Sequence, residues 1–442
     1  MVHKISFEKQ LFQLSIPIII QNLLTTAVGF ADTFMLNFVG QDSISAVSLA
    51  NQMQFLLSLF YLGLTGGTSI MIAQYWGKGD KDNASRIFTI AFRTAFVLTF
   101  LFSLLSIFCP VGIMTIFTGD KNLIAIGVEY LRTVGISFVI GSFAQIYLVT
   151  LKATQKAARS AIIASITVVT NVILNAMFIF GVGPFPKLGV AGVAIATVIA
   201  RIMELVICFV DLLRTHQIQF LKKASKDLIR SFIKITAPIT LQGVICGSAV
   251  SVNASIMGHL NSDVVAANAI AANIQQIATV VCCAFGTAGA ILLGGNLGMG
   301  QLSLAKENSK KLIRVALISG VISCIAMIAC EPLFVSIFDL TDQAKHYFLY
   351  MYIILSVNVI FCSYTNTTLC GIFPSGGDTK FGLVCDTLAR WGFSILLGYI
   401  AAFILHWHPL IVYLILNLNE LVKTPFIIPR IRKDTWLHNI TE

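Results

Sequence analysis

The sequence predicts an all-α polytopic membrane protein with twelve transmembrane helices in two parallel six-helix repeats. Three observations carry that prediction. The 442 residues are 57% apolar and only 11% charged, whereas about a quarter of the residues in a soluble domain are charged. Mostly apolar stretches of about 20 residues or more recur along the whole length, each able to cross about 30 Å of hydrocarbon as a helix. The chain also repeats itself. Adding 221 to a residue number carries Pro17 to Pro238, Gln21 to Gln242, Gly79 to Gly300, Arg93 to Arg314 and Asp32 to Asn253.

The spans fall at about 11–37, 44–75, 87–111, 122–150, 159–183 and 189–213. After them come 230–257, 264–297, 310–332, 343–371, 380–405 and 409–429. Turn signals separate them, among them GQDS, GKGDKDN, GVGPFPKLG, HLNSD, DLTDQ and FPSGGDTK. No run of about ten residues alternates apolar with polar, so a transmembrane β-barrel is not expected. The start MVHKISFEKQ leads into a long span without an Ala-x-Ala-type site, and reads as a retained first helix rather than a cleaved signal.

Orientation follows from the basic residues. One side receives 24 of the 30, Lys423 among them, and the other receives only Lys121, Lys187 and Lys345. Both termini are therefore expected in the cytoplasm. The net charge of +10 belongs to that asymmetry, and no nucleic-acid partner is expected. Each half holds an even number of spans, so the halves enter from the same side as parallel repeats. The expected domains are an N-lobe (1–213), a cytoplasmic linker (214–229) and a C-lobe (230–442). The basic stretch RTHQIQFLKKASKDLIRSFIK, Arg214–Lys234, is expected to form an amphipathic surface helix on anionic lipid; an ordinary basic loop accounts for its charge equally well. The ten cysteines show no metal or disulfide spacing and read as small buried apolar residues.

Ionisable groups inside spans are functional candidates, because charge in hydrocarbon is costly. They are Asp32, Arg132, Arg201, Glu204, Asp386, Arg390 and Glu420. Arg201 and Glu204 (i,i+3) and Asp386 and Arg390 (i,i+4) can pair on one helix face; Arg132 and Glu420 lie nearer span ends, where they can snorkel. Asp32 has no basic neighbour within a turn. An unpaired carboxylate in apolar surroundings either holds a proton or receives a cation. Asn171, Asn175 and Thr197 fall at similar depth, and with Asp32 they offer an oxygen cage for a small cation such as Na+; the same residue types also serve as interhelical glue. The second half offers neutral polar groups instead. Asn253, Asn273, Asn358 and Tyr364, with Gln21 and Asn51 from the first half and the Asp386/Arg390 pair, are candidates for the wall of a cavity that holds an amphiphilic, cationic ligand.

The chain resembles the multidrug and toxic compound extrusion (MATE) transporters nearly end to end. The resemblance rests on LSIP at Leu14–Pro17, ADT at Ala31–Thr33 and AQYWGKGDKDNA at Ala73–Ala84. It continues in NVILNAMFIFG from Asn171, GVAGVAIAT ending at Thr197 and GGDTKFGLVCD at Gly376–Asp386, the last similar to the bacterial DinF-like branch. It implies two six-helix lobes in a V around a central cavity, with efflux driven by Na+ or H+ entry across a bacterial inner membrane. It also implies that Pro17 bends the first helix, that Asp32 is the coupling site, and that Asn171 and Thr197 help to hold a cation. The sequence departs at Asn175, where relatives often carry a second aspartate. One formal charge suits H+ better than Na+, because desolvating a cation against a single carboxylate is hard.

The expected function is thus a cation-coupled antiporter exporting organic molecules, with a lipid-linked precursor flippase as the alternative. No HExxH, GxSxG or GxxxxGK[ST] motif occurs, so neither an enzyme nor an ATPase is expected. No cofactor is expected beyond the coupling H+ or Na+. The expected partners are a small organic substrate and membrane lipids, and the expected state is a monomer.

Overall fold

The computed structural model describes residues 6–181, 185–337 and 341–442. Lys4 and parts of the expected turns GVGPFPKLG and DLTDQ lie outside the described residues. Twelve helices are long and apolar enough to span a membrane, and no strand occurs among the described residues. The first six are α1 (Phe7–Asn37), α2 (Gln41–Lys78), α3 (Lys81–Phe108), α4 (Lys121–Ala153), α5 (Ala157–Phe180) and α6 (Gly189–Thr215). The second six are α7 (Lys226–Gly258), α8 (Ser262–Gly298), α9 (Leu302–Ile337), α10 (Asp342–Ser375), α11 (Thr379–Ile404) and α12 (Pro409–Arg432).

Local chemistry sets several boundaries. Gly79 ends α2 at φ +82°, and its repeat partner Gly300 follows α8 at φ +72°; both positions need the left-handed backbone that glycine adopts without strain. Asp80 caps α3 by accepting from the Asn83 N–H at 2.9 Å. The expected third span stops early, at Phe108. Pro110 has no N–H to continue the ladder and instead opens a short helix, Pro110–Phe117.

The chain divides into two compact units, Ile20–Thr236 and Met1–Ile19 with Ala237–Glu442. In the first, α4 is the most buried helix and packs on α2, α3 and α6. In the second, its repeat counterpart α10 packs on α8, α9 and α12. The units cross the expected lobe boundaries in a reciprocal way. The start of α1 belongs with the second unit, where Phe12 meets Phe285 of α8 edge to face at 5.7 Å. The start of α7 belongs with the first, where Thr236 fills the space over Gly67 of α2. Both divisions fall beside a proline, Pro17 in α1 and Pro238 in α7.

Two expectations are corrected. The stretch after α6 is no amphipathic surface helix. His216 (φ +47°) ends α6, Leu221 (φ +61°) breaks the chain again, and residues 216–225 are irregular. Ile218 is buried, and Phe220 lies within 6.2 Å of the Phe88, Phe92 and Phe143 rings. The Gln219 N–H donates to Ser85 Oγ at 3.0 Å, and Lys222 pairs with Asp82. These contacts outweigh a few tenths of a kcal/mol per residue of helix propensity. Nor are all the cysteines buried: Cys109, Cys283, Cys330 and Cys370 are exposed. On helices whose outer faces meet lipid, a small apolar thiol is as much at home outside as inside.

Past α12 the chain folds back onto the turn between α10 and α11. Trp436 is wholly buried, Arg430 Nε meets Asp378 Oδ2 at 2.7 Å, and the Arg430 guanidinium lies 4.6 Å from the Phe381 ring. Gly376 permits this, because a Cβ there would overlap the Trp436 carbonyl oxygen. Gly376→Ala is expected to lift the C-terminal segment at a cost of about 1–3 kcal/mol. The readouts are a lower melting temperature and faster tryptic cleavage at Arg432 and Lys433; an unchanged digest would show that the segment is held elsewhere.

Candidate functional site

The first unit gathers the four residues that the sequence nominates for the cation. Gly192 brings α6 close to α5, since a Cβ there would lie 2.7 Å from the Phe178 Cβ. That approach sets Thr197 beside Asn171, one turn from Asn175. Thr197 Oγ1 donates to the Val193 carbonyl at 2.9 Å and accepts from Asn171 Nδ2 at 3.5 Å. Asn171 Oδ1 in turn accepts from Asn175 Nδ2 at 3.3 Å, and the same Nδ2 donates to Asp32 Oδ1 at 2.7 Å. Three neutral groups therefore form a chain that ends in an N–H directed at the carboxylate. Asn175 is wholly buried, and its Oδ1 has no hydrogen-bond partner among the described residues. Asp32 itself makes no ion pair among them.

Asn51 is exposed and accepts from the Tyr130 hydroxyl at 3.1 Å. Tyr130, on α4, is within electrostatic reach of Asp32. The sequence reading passed over Tyr130. Its one signal is a phenol in an otherwise apolar helix face, which has to find a partner when buried.

In the second unit Asp386 and Arg390 belong to a charge cluster that Glu420 and Lys423 complete. Arg390 Nη2 meets Glu420 Oε1 at 2.9 Å and lies farther from Asp386, at 3.6 Å through Nε. Lys423 Nζ joins the two acids, at 2.5 Å from Asp386 and 2.9 Å from Glu420. Gln242 donates to Asp386, and Thr365 donates to Glu420. Arg390 sits in a π-helical stretch of α11, Leu388–Ile395. The wider turn loosens the i,i+4 register and carries the guanidinium over to α12. Lys423, expected among the cytoplasmic lysines, is 2% exposed, and Glu420, expected to snorkel, is buried. The i,i+3 spacing of Glu420 and Lys423 was the available signal, and two buried acids require two bases.

The other cavity candidates are scattered. Gln21 Oε1 and Asn253 Oδ1 are buried without partners among the described residues. Asn273 is exposed, Asn358 is buried and Tyr364 is half-buried. Among the described residues no hydrogen bond joins any of these to Asp386 or Arg390. Arg201 and Glu204 do pair, at 2.7 Å. No group of three or more His, Cys, Asp or Glu side chains that could hold a metal occurs among the described residues.

Removing one base from the cluster leaves a buried carboxylate uncompensated. Lys423→Met is expected to cost about 3–5 kcal/mol, read as a fall in melting temperature in detergent, while Lys423→Arg retains most of the stability. Equal melting temperatures for Lys423→Met and wild type would show the cluster to be hydrated and weak.

A MatE family model matches residues 17–177 and again 238–400; the second match begins 221 residues after the first, at the offset of the internal repeat. The transporter YisQ of Bacillus subtilis (strain 168), described as uncharacterized, is 26% identical over 97% of this chain and 94% of its own. The probable multidrug resistance protein YoeA of the same organism is 22% identical over 87% and 85%. A solved outward-facing structure of a multidrug resistance MATE family transporter of the MOP superfamily has the same fold, with a TM-score of 0.88 at 18% identity, covering 98% of this chain and 97% of that one. The chain belongs to the MatE family and is a multi-pass membrane transporter.

Proposed function

We propose that this protein exports small organic, amphiphilic cations across the bacterial cytoplasmic membrane by alternating access, as an antiporter driven by proton entry through Asp32. The observation that carries the reading is the lone carboxylate at the end of an amide chain. Glu204, Asp386 and Glu420, the other acids that the sequence places within spans, each have a basic partner, whereas Asp32 has one N–H, so its charge can change without breaking an ion pair. The drug-efflux reading also draws on the relatives' descriptions as multidrug transporters.

Asn175 can serve both states of Asp32. Its Nδ2 donates to the carboxylate. When Asp32 carries a proton, a turn of the amide presents Oδ1 to the acid O–H instead, and that oxygen gives up no hydrogen bond to do so. A Na+ cage needs oxygens, not an N–H, directed at the ion, and the donor chain from Thr197 to Asp32 is set the other way. A flippase for lipid-linked precursors would need a cationic cavity, but Arg201 and Arg390 are each neutralised by a glutamate.

Pro17 supplies the hinge in this reading. It removes one helix hydrogen bond two residues before α1 passes from one unit to the other, and α1 is the least buried of the twelve spanning helices.

Three outcomes are expected in liposomes. Asp32→Asn abolishes gradient-driven efflux, and adding Asn253→Asp does not restore it; wild-type rates in Asp32→Asn would remove Asp32 from the mechanism. A Na+ gradient at equal pH drives no efflux, whereas robust accumulation that vanishes in Asn175→Ala would establish Na+ coupling. Pro17→Ala inserts and folds but slows transport; normal transport with lower thermal stability would make the proline a packing feature.

A further inference from the structure

Between α5 and α6 the first unit carries a groove of about 510 Å³, within the roughly 300–1,000 Å³ of small-molecule sites. Its two ends differ chemically. At one end are Arg159, in the first turn of α5, Arg214, in the last turn of α6, and Asp211. Its walls toward the middle of the helices are apolar, with Ile162 61%, Ile166 44% and Val206 53% exposed.

We infer that this groove binds one anionic phospholipid, with the headgroup phosphate on the two arginines and an acyl chain along the isoleucine and valine wall. The argument is charge complementarity at the right depth. Both arginines stand where a spanning helix ends, which is the level of lipid headgroups. Arg214 has no ion-pair partner among the described residues. Arg159 meets Asp211 only through Nε, at 3.6 Å. Asp211 is engaged on its other side by the Tyr147 hydroxyl of α4, at 2.7 Å, which keeps it against the protein. Two guanidinium groups thus face one restrained carboxylate, a net positive end suited to bidentate phosphate binding. The apolar wall from Arg159 to Ile166 runs seven residues, about 10 Å along the helix, which matches the upper part of an acyl chain. An exposed arginine that only snorkels would need no groove beneath it.

The test is native mass spectrometry of the full chain, purified in a mild detergent and supplied with phosphatidylglycerol or phosphatidylcholine of the same acyl chains. Wild-type protein is expected to retain one phosphatidylglycerol in preference to phosphatidylcholine. Arg159→Gln with Arg214→Gln should lower that retention about tenfold. Val206→Trp, which fills the groove without changing charge, should do the same. Arg230→Gln with Lys234→Gln, which removes two exposed charges outside the groove, should leave retention unchanged. The inference fails if the arginine double variant binds as wild type does, if phosphatidylcholine is retained equally, or if the control pair loses as much lipid. It also fails if Val206→Trp keeps its lipid, since the chain would then lie elsewhere.

Discussion

The contact from Asn175 Nδ2 to Asp32 Oδ1, 2.7 Å long, fixes what kind of site the first unit holds. Asp32 lies in the last turns of α1, where a carboxylate costs less than the roughly 2.5–3.5 kcal/mol of a span centre. A hydrogen bond to a charged group returns about 1.5–3 kcal/mol, so a single amide N–H is comparable to that cost. An ion pair would favour the charged form more strongly, and a carboxylate with no partner would favour the neutral form. A neutral amide leaves both forms within reach, which is the property that a gradient-coupled group needs. The residues behind it serve that balance: Asn171 and Thr197 hold the Asn175 amide by its N–H, and the Val193 carbonyl holds Thr197.

The second unit solves the same problem in the opposite way. Asp386 and Glu420 are neutralised by Arg390 and Lys423, with Gln242 and Thr365 taking further lone pairs. Every charge there has more than one partner, so no single protonation event is isolated. The repeat makes the contrast informative. Asn253 stands where Asp32 stands in the first half, so the carboxylate without an ion pair sits in one copy, and the other copy carries the charge cluster. The duplicated halves share helices, glycine turns and central α4 and α10, yet divide the electrostatics between them.

Helix number and order were legible in the sequence because hydrocarbon leaves few choices: an apolar stretch of sufficient length becomes a helix. The Asp32 constellation was legible for a related reason, since depth in a span follows from residue count. What escaped was set by side-chain reach and by local competition. Lys423 looked cytoplasmic because its long side chain allows either placement, and only the partners on α11 decide the matter. Residues 216–225 carried the charge pattern of a surface helix, but Phe220 is captured by three aromatic rings and Lys222 by Asp82, contacts about 80 to 140 positions away in sequence. The π-helical stretch of α11 that holds Arg390 has no single-sequence signature, and it bears on which acid Arg390 reaches.

The place of Pro17 gives these parts a common direction. The carboxylate and the proline lie on one helix, fifteen residues apart, about 22 Å along the axis. The compact units divide that helix between them, after Ile19. Asp32 lies on the portion that belongs to Ile20–Thr236, while the portion before Ile19 is held by contacts such as Phe12 with Phe285. In the proposed cycle, a shift of α1 near Asp32 would be resisted at the far end and would have to be absorbed along the helix between them. Pro17 is where the backbone ladder already lacks a bond, so bending there costs least. The same division recurs at Pro238 in α7, but no lone carboxylate follows it, only Asn253. One copy thus has both a proline beside the division and a carboxylate without an ion pair, and the other has the proline alone.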